Sequence, residues 1–421
     1  MMKNLQLKKR LPKDVFSVVR KIGTLAEESG FFAYIVGGFV RDLLLGVKNL
    51  DLDIVIERDA LDVARLLRKK IDFQLKTHKR FGTATIILPS GFKMDIATSR
   101  REHYAYPAAL PAVCPSSIRD DLFRRDFTIN ALAIKLNQGN FGQLLDLFDG
   151  CRDLKKGLVR VLHDKSFIDD PTRILRAVRF EQRYDFTIEE HTKKLIDGAR
   201  RAGMLKQLSR FRIGDELILI LKEEDPLRCL LRLNKLCGLD FIHPSIKLGR
   251  GISAGFKRAK KYISLSDEAL DGWLVYFMLL TCPLDAKQIR GLCRDFSLTK
   301  SCQQRLEYFK KNASGALKEL KGKAALSNHR IYEVLQPFSC EGVLGLTALT
   351  ESRTTEKRIR LFLKKLTRIK TALQGKDLER IGLEPGPKYR QILKKVLYEK
   401  LDGKLKNKRE ELKYAKWLSA S

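Results

Sequence analysis

The chain has 421 residues, with 82 Lys and Arg against 50 Asp and Glu and a formal charge of +32. That length exceeds the size at which single cores stop growing, so two to four domains are expected, and the positive excess favours a polyanionic partner such as nucleic acid over an anionic membrane. No stretch approaches the roughly 20 uninterrupted apolar residues of a membrane span, and Met1-Met2-Lys3-Asn4-Leu5 lacks the apolar core of a signal peptide, so a cytoplasmic protein is expected.

In chain order, hydrophobic periodicity predicts a helix over 15–29, a strand over 33–36, a helix over 41–45, a strand over 50–56 and a helix over 60–69. Short strands follow at 73–77, 83–88 and 93–97, which suits a small mixed sheet. The segment 96–121 is polar and punctuated by Pro107, Pro111 and Pro115, and it reads as a long functional loop bordering a site. From Gly150 onward strand signals nearly vanish, apart from 159–162, and helical periods dominate, with a break near 238–255. The fold class is therefore α+β: an α/β head followed by an all-helical remainder. The last 71 residues carry 21 Lys and Arg against 9 Asp and Glu, an excess that suits phosphate-backbone contacts as well as a solvated helix face.

Eight cysteines are scattered without a Cys-x-x-Cys pair or a His at zinc spacing, and they read as reduced thiols. The six histidines lie far apart, so neither a His-based hydrolytic triad nor a zinc site is suggested.

The chemistry concentrates in four places. Gly37-Gly38, at a strand-to-helix turn, lets backbone N–H groups approach phosphate oxygens, and Arg41 follows just inside the helix. On the next strand Asp51 and Asp53 project from one face, where two carboxylates can hold a magnesium ion that shares its sphere with substrate phosphates. The alternative is a tight turn beside a solvated strand edge. Asp95 can add a third carboxylate from a neighbouring strand, or cap a turn, or pair with Arg100, Arg101 or Arg119.

Arg124, Arg125, Asp126 and Asn130 combine two guanidiniums with a carboxylate and an amide, a group suited to nucleotide binding, with Asp126 and Asn130 sharing a face if the stretch is helical. Arg-Asp pairs at a surface turn are the plainer reading. Asp169-Asp170-Pro171 is a helix start signal, and Arg173, Arg176, Arg179 and Arg183 then line one side of the helix. Asp170 and Arg173, three apart, either cap and solvate that helix or hydrogen-bond the edge of a nucleobase.

Taken together, four stretches resemble the class II tRNA nucleotidyltransferases and bacterial poly(A) polymerases, within the DNA polymerase β-like nucleotidyltransferase superfamily. They are Ile35-Val36-Gly37-Gly38-Phe39-Val40-Arg41-Asp42-Leu43-Leu44-Leu45-Gly46, Asp51-Leu52-Asp53, Asp121-Leu122-Phe123-Arg124-Arg125-Asp126-Phe127-Thr128-Ile129-Asn130-Ala131, and Asp170-Pro171-Thr172-Arg173-Ile174-Leu175-Arg176-Ala177-Val178-Arg179-Phe180. The resemblance implies catalytic metal ligands at Asp51 and Asp53 for two Mg2+ ions, with Asp95 as a further candidate. It also implies triphosphate contacts at Gly37, Gly38 and Arg41, and nucleotide contacts at Arg124, Arg125, Asp126 and Asn130. Asp170 and Arg173 look like a protein template that selects the incoming base by Watson–Crick-like hydrogen bonds, supported by Asp169, Arg176 and Arg179. The family usually has Glu immediately before the template Asp, whereas this chain has Asp169.

By the same resemblance Asp146-Leu147-Phe148-Asp149-Gly150-Cys151-Arg152 looks like the hinge between head and neck. The implied domains are a nucleotidyltransferase head over 1–148, a neck over 149–222, a helical body over 223–345 and a basic, tRNA-binding tail over 346–421. The loop 98–111, the phrase Phe180-Glu181-Gln182-Arg183-Tyr184 and the stretch 382–390 look most like the A-adding branch, where such a unit often follows other domains. Here the chain begins almost at the head, so front modules are expected to be absent.

The implied activity is transfer of AMP from ATP to a tRNA ending in CC, with the acceptor and TΨC arms bound by the helical part and a separate CC-adding enzyme acting first. Complete CCA addition, which also takes CTP, CC addition and poly(A) synthesis are the sister activities. A noncatalytic RNA-binding protein is the rival from another class, and it would have no reason to keep both Asp51 and Asp53.

Overall fold

The structure, a computed structural model, describes residues 7–78, 82–264, 270–322, 324–384 and 386–420. The first residues, on which the lack of a signal segment is read, and Pro385 within the stretch 382–390 lie outside the described residues. The chain divides into two compact units, one of residues 1–216 with 232–241 and the other of 217–231 with 242–421. Among the described residues no helix is long and apolar enough to cross a membrane, and no disulfide joins any two of the eight cysteines.

In the first unit, helix α1 (Lys13–Glu28) buries Val15, Val18, Val19, Ile22 and Leu25, the spacing of a single helical face. Strand β1 (Ala33–Val36) is buried along its whole length and leads through Gly37 into α2 (Gly38–Leu45), which Gly46 ends in the left-handed conformation. Strand β2 (Leu52–Ile56) follows, then α3 (Ala60–Lys70), whose N-terminus is capped by the Asp59 carboxylate. Strands β3 (Gln74–His78), β4 (Thr83–Ile87) and β5 (Lys93–Thr98) come next.

The segment read as a long loop is partly ordered structure: β6 (Arg100–His103) pairs antiparallel with β7 (Ala112–Pro115), and α4 (Ile118–Phe123) follows, capped by Ser117. Its prolines sit in the hairpin tip and at the end of β7, where no ladder hydrogen bond is lost.

Strands β8 (Leu132–Lys135) and β9 (Leu144–Asp146) complete a seven-stranded sheet of order β3-β4-β5-β2-β1-β8-β9. The sheet is mixed, as expected, because β2 and β5 run parallel while the other neighbours are antiparallel. It is two strands wider than the five read from the sequence. Ile35, Ile54, Ile96 and Ile134 share one buried face in register. On the opposite face Tyr34, Val36, Val55, Ala131 and Ala133 pack with Ile118 and Leu122 of α4. Asp53 lies in register with Val36 and Asp95, so the sheet's carboxylates point to this second face, which α4 covers only in part.

After β9 come α5 (Gly150–Lys156), the two-residue strand β10 (Leu158–Val159), α6 (Ser166–Asp169) and α7 (Thr172–Arg183). β10 pairs parallel with Thr187–Ile188. The second unit is helical from Arg250–Ile263 to Lys408–Ala420. Gly272–Leu280, apolar on nearly every side, buries all of its residues from Leu274 to Leu280. The last helices form their own cluster around Leu373, Leu378, Ile392, Val396 and Ala415, where the buried Glu411 carboxylate accepts the Ala372 and Leu373 N–H groups at 2.8 and 3.0 Å.

Candidate active site

The turn between β1 and α2 is fixed by the Gly37 N–H, which donates to the Leu132 carbonyl at 3.0 Å, and by a Gly37 φ of 75° that side-chain-bearing residues rarely adopt. Arg41 and Asp42, one turn into α2, are both buried. The Arg41 guanidinium donates to Asp42 at 2.8 and 3.0 Å and to Asn130, and lies 5.0 and 4.8 Å from the Phe180 and Tyr184 ring centres. Arg41 therefore lines the site with its charge matched by Asp42.

Asp42 also accepts from Tyr184 at 2.9 Å and from Asn49 at 2.7 Å. Asn49 in turn accepts the Asp51 backbone N–H at 2.8 Å, which ties the phosphate turn to the carboxylate strand.

Asp51, just ahead of β2, and Asp53 within it are exposed toward a cavity of about 510 Å³. Asp53 is open to the cavity along one edge and enclosed elsewhere. Its partial loss of hydration, reinforced by the Asp51 charge and opposed by Arg125, pushes its carboxyl up to about 6. Asp95 stands directly opposite Asp53 on β5, but its carboxylate accepts the Thr85 hydroxyl at 2.6 Å, and it faces an adjoining cavity of about 470 Å³ that Asp53 also lines. Among the described residues no group of three acidic, His or Cys side chains converges tightly enough to enclose a metal. The oxygen-only donors Asp51 and Asp53 nevertheless fit a hard divalent cation that completes its sphere with phosphate and water.

Arg124 and Arg125 follow α4. The fully buried Asp121 holds both, Arg124 at 2.8 Å and Arg125 at 3.0 Å, and Glu102 of β6 takes Arg124 from the other side at 2.8 Å. The two arginines hold the Asp121 carboxyl below the usual carboxylate range despite its burial. The Arg125 Nε is buried without a hydrogen-bond partner among the described residues, a donor left for an anionic ligand.

Asp126 and Asn130 do meet, the Asn130 amide donating at 2.8 Å. They do so across a turn that ends in the short 3₁₀ segment Thr128–Asn130 rather than along an α-helix. Asp126 also accepts from Arg176 at 2.8 and 2.7 Å. Burial opposes its charge, yet Arg176 and Asn130 prevail and bring the carboxyl down to about 2.

Helix α7 begins at Thr172, one residue later than the start signal implied, because the Asp170 carboxylate accepts the Thr172 N–H at 3.0 Å. Asp170 is also paired with Arg212 at 2.7 Å. Arg173 donates from Nη1 to the Ser166 hydroxyl and from Nη2 to the Arg124 carbonyl, each at 2.7 Å. Asp169, expected to support Arg173, makes no hydrogen bond or ion pair with it among the described residues. Its short side chain points instead toward His163, 4.0 Å from Nδ1. Arg176 and Arg179 sit one and two turns farther along, paired with Glu216 at 3.3 and 3.5 Å and stacked on Phe180. They shape the cavity wall without touching Asp170.

The cavity is lined by eight arginines and six carboxylates, a balance suited to an anion with a polar base. Its volume suits a nucleotide. Every residue expected from the sequence lines it except Gly37, Asp95 and Asp169; Gly37 lies behind Arg125, which does line it. Glu102 and Tyr104, from the segment read as bordering a site, line it as well, and so do Asn49 and Arg212, which were not anticipated. Neither Asn49 nor Arg212 lies in a stretch that carried a motif signal.

Comparison with known proteins matches residues 33–160 to the poly A polymerase head domain and residues 185–248 to the probable RNA and SrmB-binding site of polymerase A. The A-adding tRNA nucleotidyltransferase of Halalkalibacterium halodurans is 34% identical over 96% of this chain and 93% of its own length. The chain belongs to the tRNA nucleotidyltransferase and poly(A) polymerase family.

The A-adding tRNA nucleotidyltransferase of Geobacter sulfurreducens, another member, is 38% identical over 99% of this chain, which spans about half (48%) of that relative's length. The solved Thermotoga maritima CCA-adding enzyme complexed with tRNA, also of the family, superposes with a TM-score of 0.76 at 33% identity and 100% coverage of both chains. Family membership thus accounts for the mixed-sheet head and the helical remainder.

Proposed function

We propose that the protein adds the 3′-terminal adenosine to tRNA ending in CC, transferring AMP from ATP and releasing pyrophosphate. The observation that carries this reading is one cavity that collects Gly38 of the phosphate turn, Asp51 and Asp53, the Arg124-Arg125-Asp126 turn and the Asp170/Arg173 pair. Similarity over nearly the whole chain to A-adding relatives supports it.

In this mechanism the first N–H groups of α2 and the Arg125 guanidinium receive the triphosphate. Arg41, Asn130 and Asp126 form a rigid floor beneath the nucleotide. Asp51 and Asp53 hold magnesium, two ions in the full reaction complex, with Asp95 as a subsidiary carboxylate. The chemistry that magnesium would supply when held by these carboxylates is acidification of the terminal ribose hydroxyl and charge balance on the leaving pyrophosphate.

Asp170 accepts the exocyclic amino group of the base and Arg173 donates to its adjacent ring nitrogen. Adenine and cytosine offer that amino and acceptor pair; uracil and guanine offer a carbonyl and an N–H in its place and are refused. The head, neck, body and tail over 1–148, 149–222, 223–345 and 346–421 divide catalysis, base selection and tRNA binding among them, in the cytoplasm. A separate CC-adding enzyme supplies the substrate.

Asp51→Ala and Asp53→Ala are expected to abolish transfer while leaving tRNA binding within about twofold, since neither carboxylate positions RNA. Retained transfer in either variant refutes the assignment. Asp170→Ala and Arg173→Ala are expected to relax the choice among the four nucleotides.

A second reading, complete CCA addition with CTP and ATP, is favoured by the full-length superposition on the Thermotoga maritima CCA-adding enzyme.

A further inference from the structure

We infer that Ser166 and Arg212 are the positioning residues of the base-reading pair, in the place expected for Asp169. The inference rests on the base-reading role proposed above for Asp170 and Arg173.

A guanidinium reads a base edge only if its plane is fixed, because its donors lie in that plane. The Arg173 fork is anchored at both ends, Nη1 on the Ser166 hydroxyl and Nη2 on the Arg124 carbonyl, each at 2.7 Å. Two anchors on the two terminal nitrogens set the plane, and each nitrogen keeps a second N–H. Both anchors are neutral, so the Arg173 charge is not cancelled by its holders. Ser166 is fully buried, and its carbonyl also accepts the Asp170 N–H at 3.1 Å. One residue of α6 therefore fixes the side chain of one reader and the backbone of the other.

The carboxylate is fixed from the opposite side. Asp170 Oδ1 accepts from the Thr172 N–H, the Thr172 hydroxyl and Arg212, which among the described residues leaves Oδ2 to the cavity. Arg212 comes from the helix Arg210–Leu221 and is steadied by the Ala108 carbonyl at 3.4 Å. Asp169 meets neither reader's side chain; its carboxylate lies 4.0 Å from His163 Nδ1.

The test is the ratio of kcat/KM for ATP to that for UTP on a tRNA transcript ending in CC, measured with Ser166→Ala, Arg212→Ala, Asp169→Asn and, as the reference, Arg173→Ala. Inhibition by inorganic tripolyphosphate reports triphosphate binding in each. Loss of one aligned base contact corresponds to about tenfold to a hundredfold in discrimination. Ser166→Ala and Arg212→Ala should lower the ratio by that much with tripolyphosphate inhibition unchanged, a split that general damage to the fold would not give. Asp169→Asn should keep the ratio, and Ser166→Thr, which retains the hydroxyl, should restore most of what Ser166→Ala loses.

A Ser166→Ala ratio like that of the wild type, beside a lowered ratio for Arg173→Ala, overturns the inference alone. So does an Asp169→Asn ratio lowered as far as that of Arg173→Ala. If Arg173→Ala also keeps the wild-type ratio, the base-reading role itself falls. Should Ser166→Ala fail to fold, Arg212→Ala, at a partly exposed side chain, decides the same question.

Discussion

A Cβ at Gly37 would stand 2.6 Å from Arg125 Nη1, so the turn at the end of β1 and the arginine after α4 are packed without room for a methyl group. The turn also has a φ of 75° and a ψ of −133°, a conformation essentially confined to glycine. The atom in the way is the end of a side chain, so in Gly37→Ala the guanidinium moves and the backbone strains. We expect folding to survive with a loss of about 1–3 kcal/mol. Transfer should fall on the order of a hundredfold, because Arg125 leaves both Asp53 and the triphosphate. Thermal unfolding read beside kcat checks both parts, and a stable, fully active variant contradicts the contact's role.

Asp53 gives a pH signature. Its carboxyl is pushed up to about 6 from an ordinary value near 3.8, so the ionised form is disfavoured in the folded protein. That penalty is fully present above about 6 and disappears as pH falls toward 3.8. Without added divalent cation, Asp53→Asn should therefore melt above the wild type at pH 8 and level with it near pH 4. Magnesium should narrow the pH 8 gap by stabilising the wild type alone. Equal melting temperatures at pH 8 in metal-free buffer would contradict this.

The Asp126–Arg176 pair works in the other direction. Asp126 is held down to about 2, so its contribution to stability is present above about 3.8 and is lost as pH falls toward 2. Arg176→Gln leaves a buried carboxylate with Asn130 and the Phe127 N–H as its remaining partners. The cost should be on the order of 3 kcal/mol at pH 7. Acid unfolding should begin at higher pH than in the wild type. Urea denaturation at pH 7 and pH 4 measures both, and an unchanged midpoint at pH 7 would show that Asp126 does not depend on Arg176.

Much of this was legible in the residues because it is local. Alternation along a strand placed Asp51 and Asp53 on one face, and helical spacing placed Arg173, Arg176, Arg179 and Arg183 on one wall of the cavity. What stayed hidden depends on contacts between distant segments. Nothing in the sequence ties Asn49 to Asp42 and Asp51, or brings Tyr184 to Asp42 across 142 positions. The neighbour that holds Arg173 is hidden for the same reason. The family resemblance pointed to Asp169 as the support of Arg173, and the path of α6 delivers Ser166 to the guanidinium. Strands β8 and β9 escaped notice because one follows directly from the motif at 121–131 and the other has only three residues.

The charge of +32 makes a prediction about the partner rather than the chemistry. Binding of tRNA should weaken steeply as salt rises from about 50 to 200 mM, by a factor of 10³ or more if six or more phosphates are contacted. Filter binding at several salt concentrations gives the slope. A flat response would contradict phosphate-backbone recognition by the helical part.

The central claim is single-nucleotide addition directed by this site, and product length tests it most directly. The purified protein would be incubated with magnesium and tRNA transcripts lacking CCA, ending in C or ending in CC, with CTP and ATP supplied separately and together. The products would be resolved to one nucleotide. One adenosine added only to the transcript ending in CC is the predicted result. Completion of CCA on the bare transcript, arrest after CC, or a long adenosine tail would contradict it and move the protein to the corresponding sister activity.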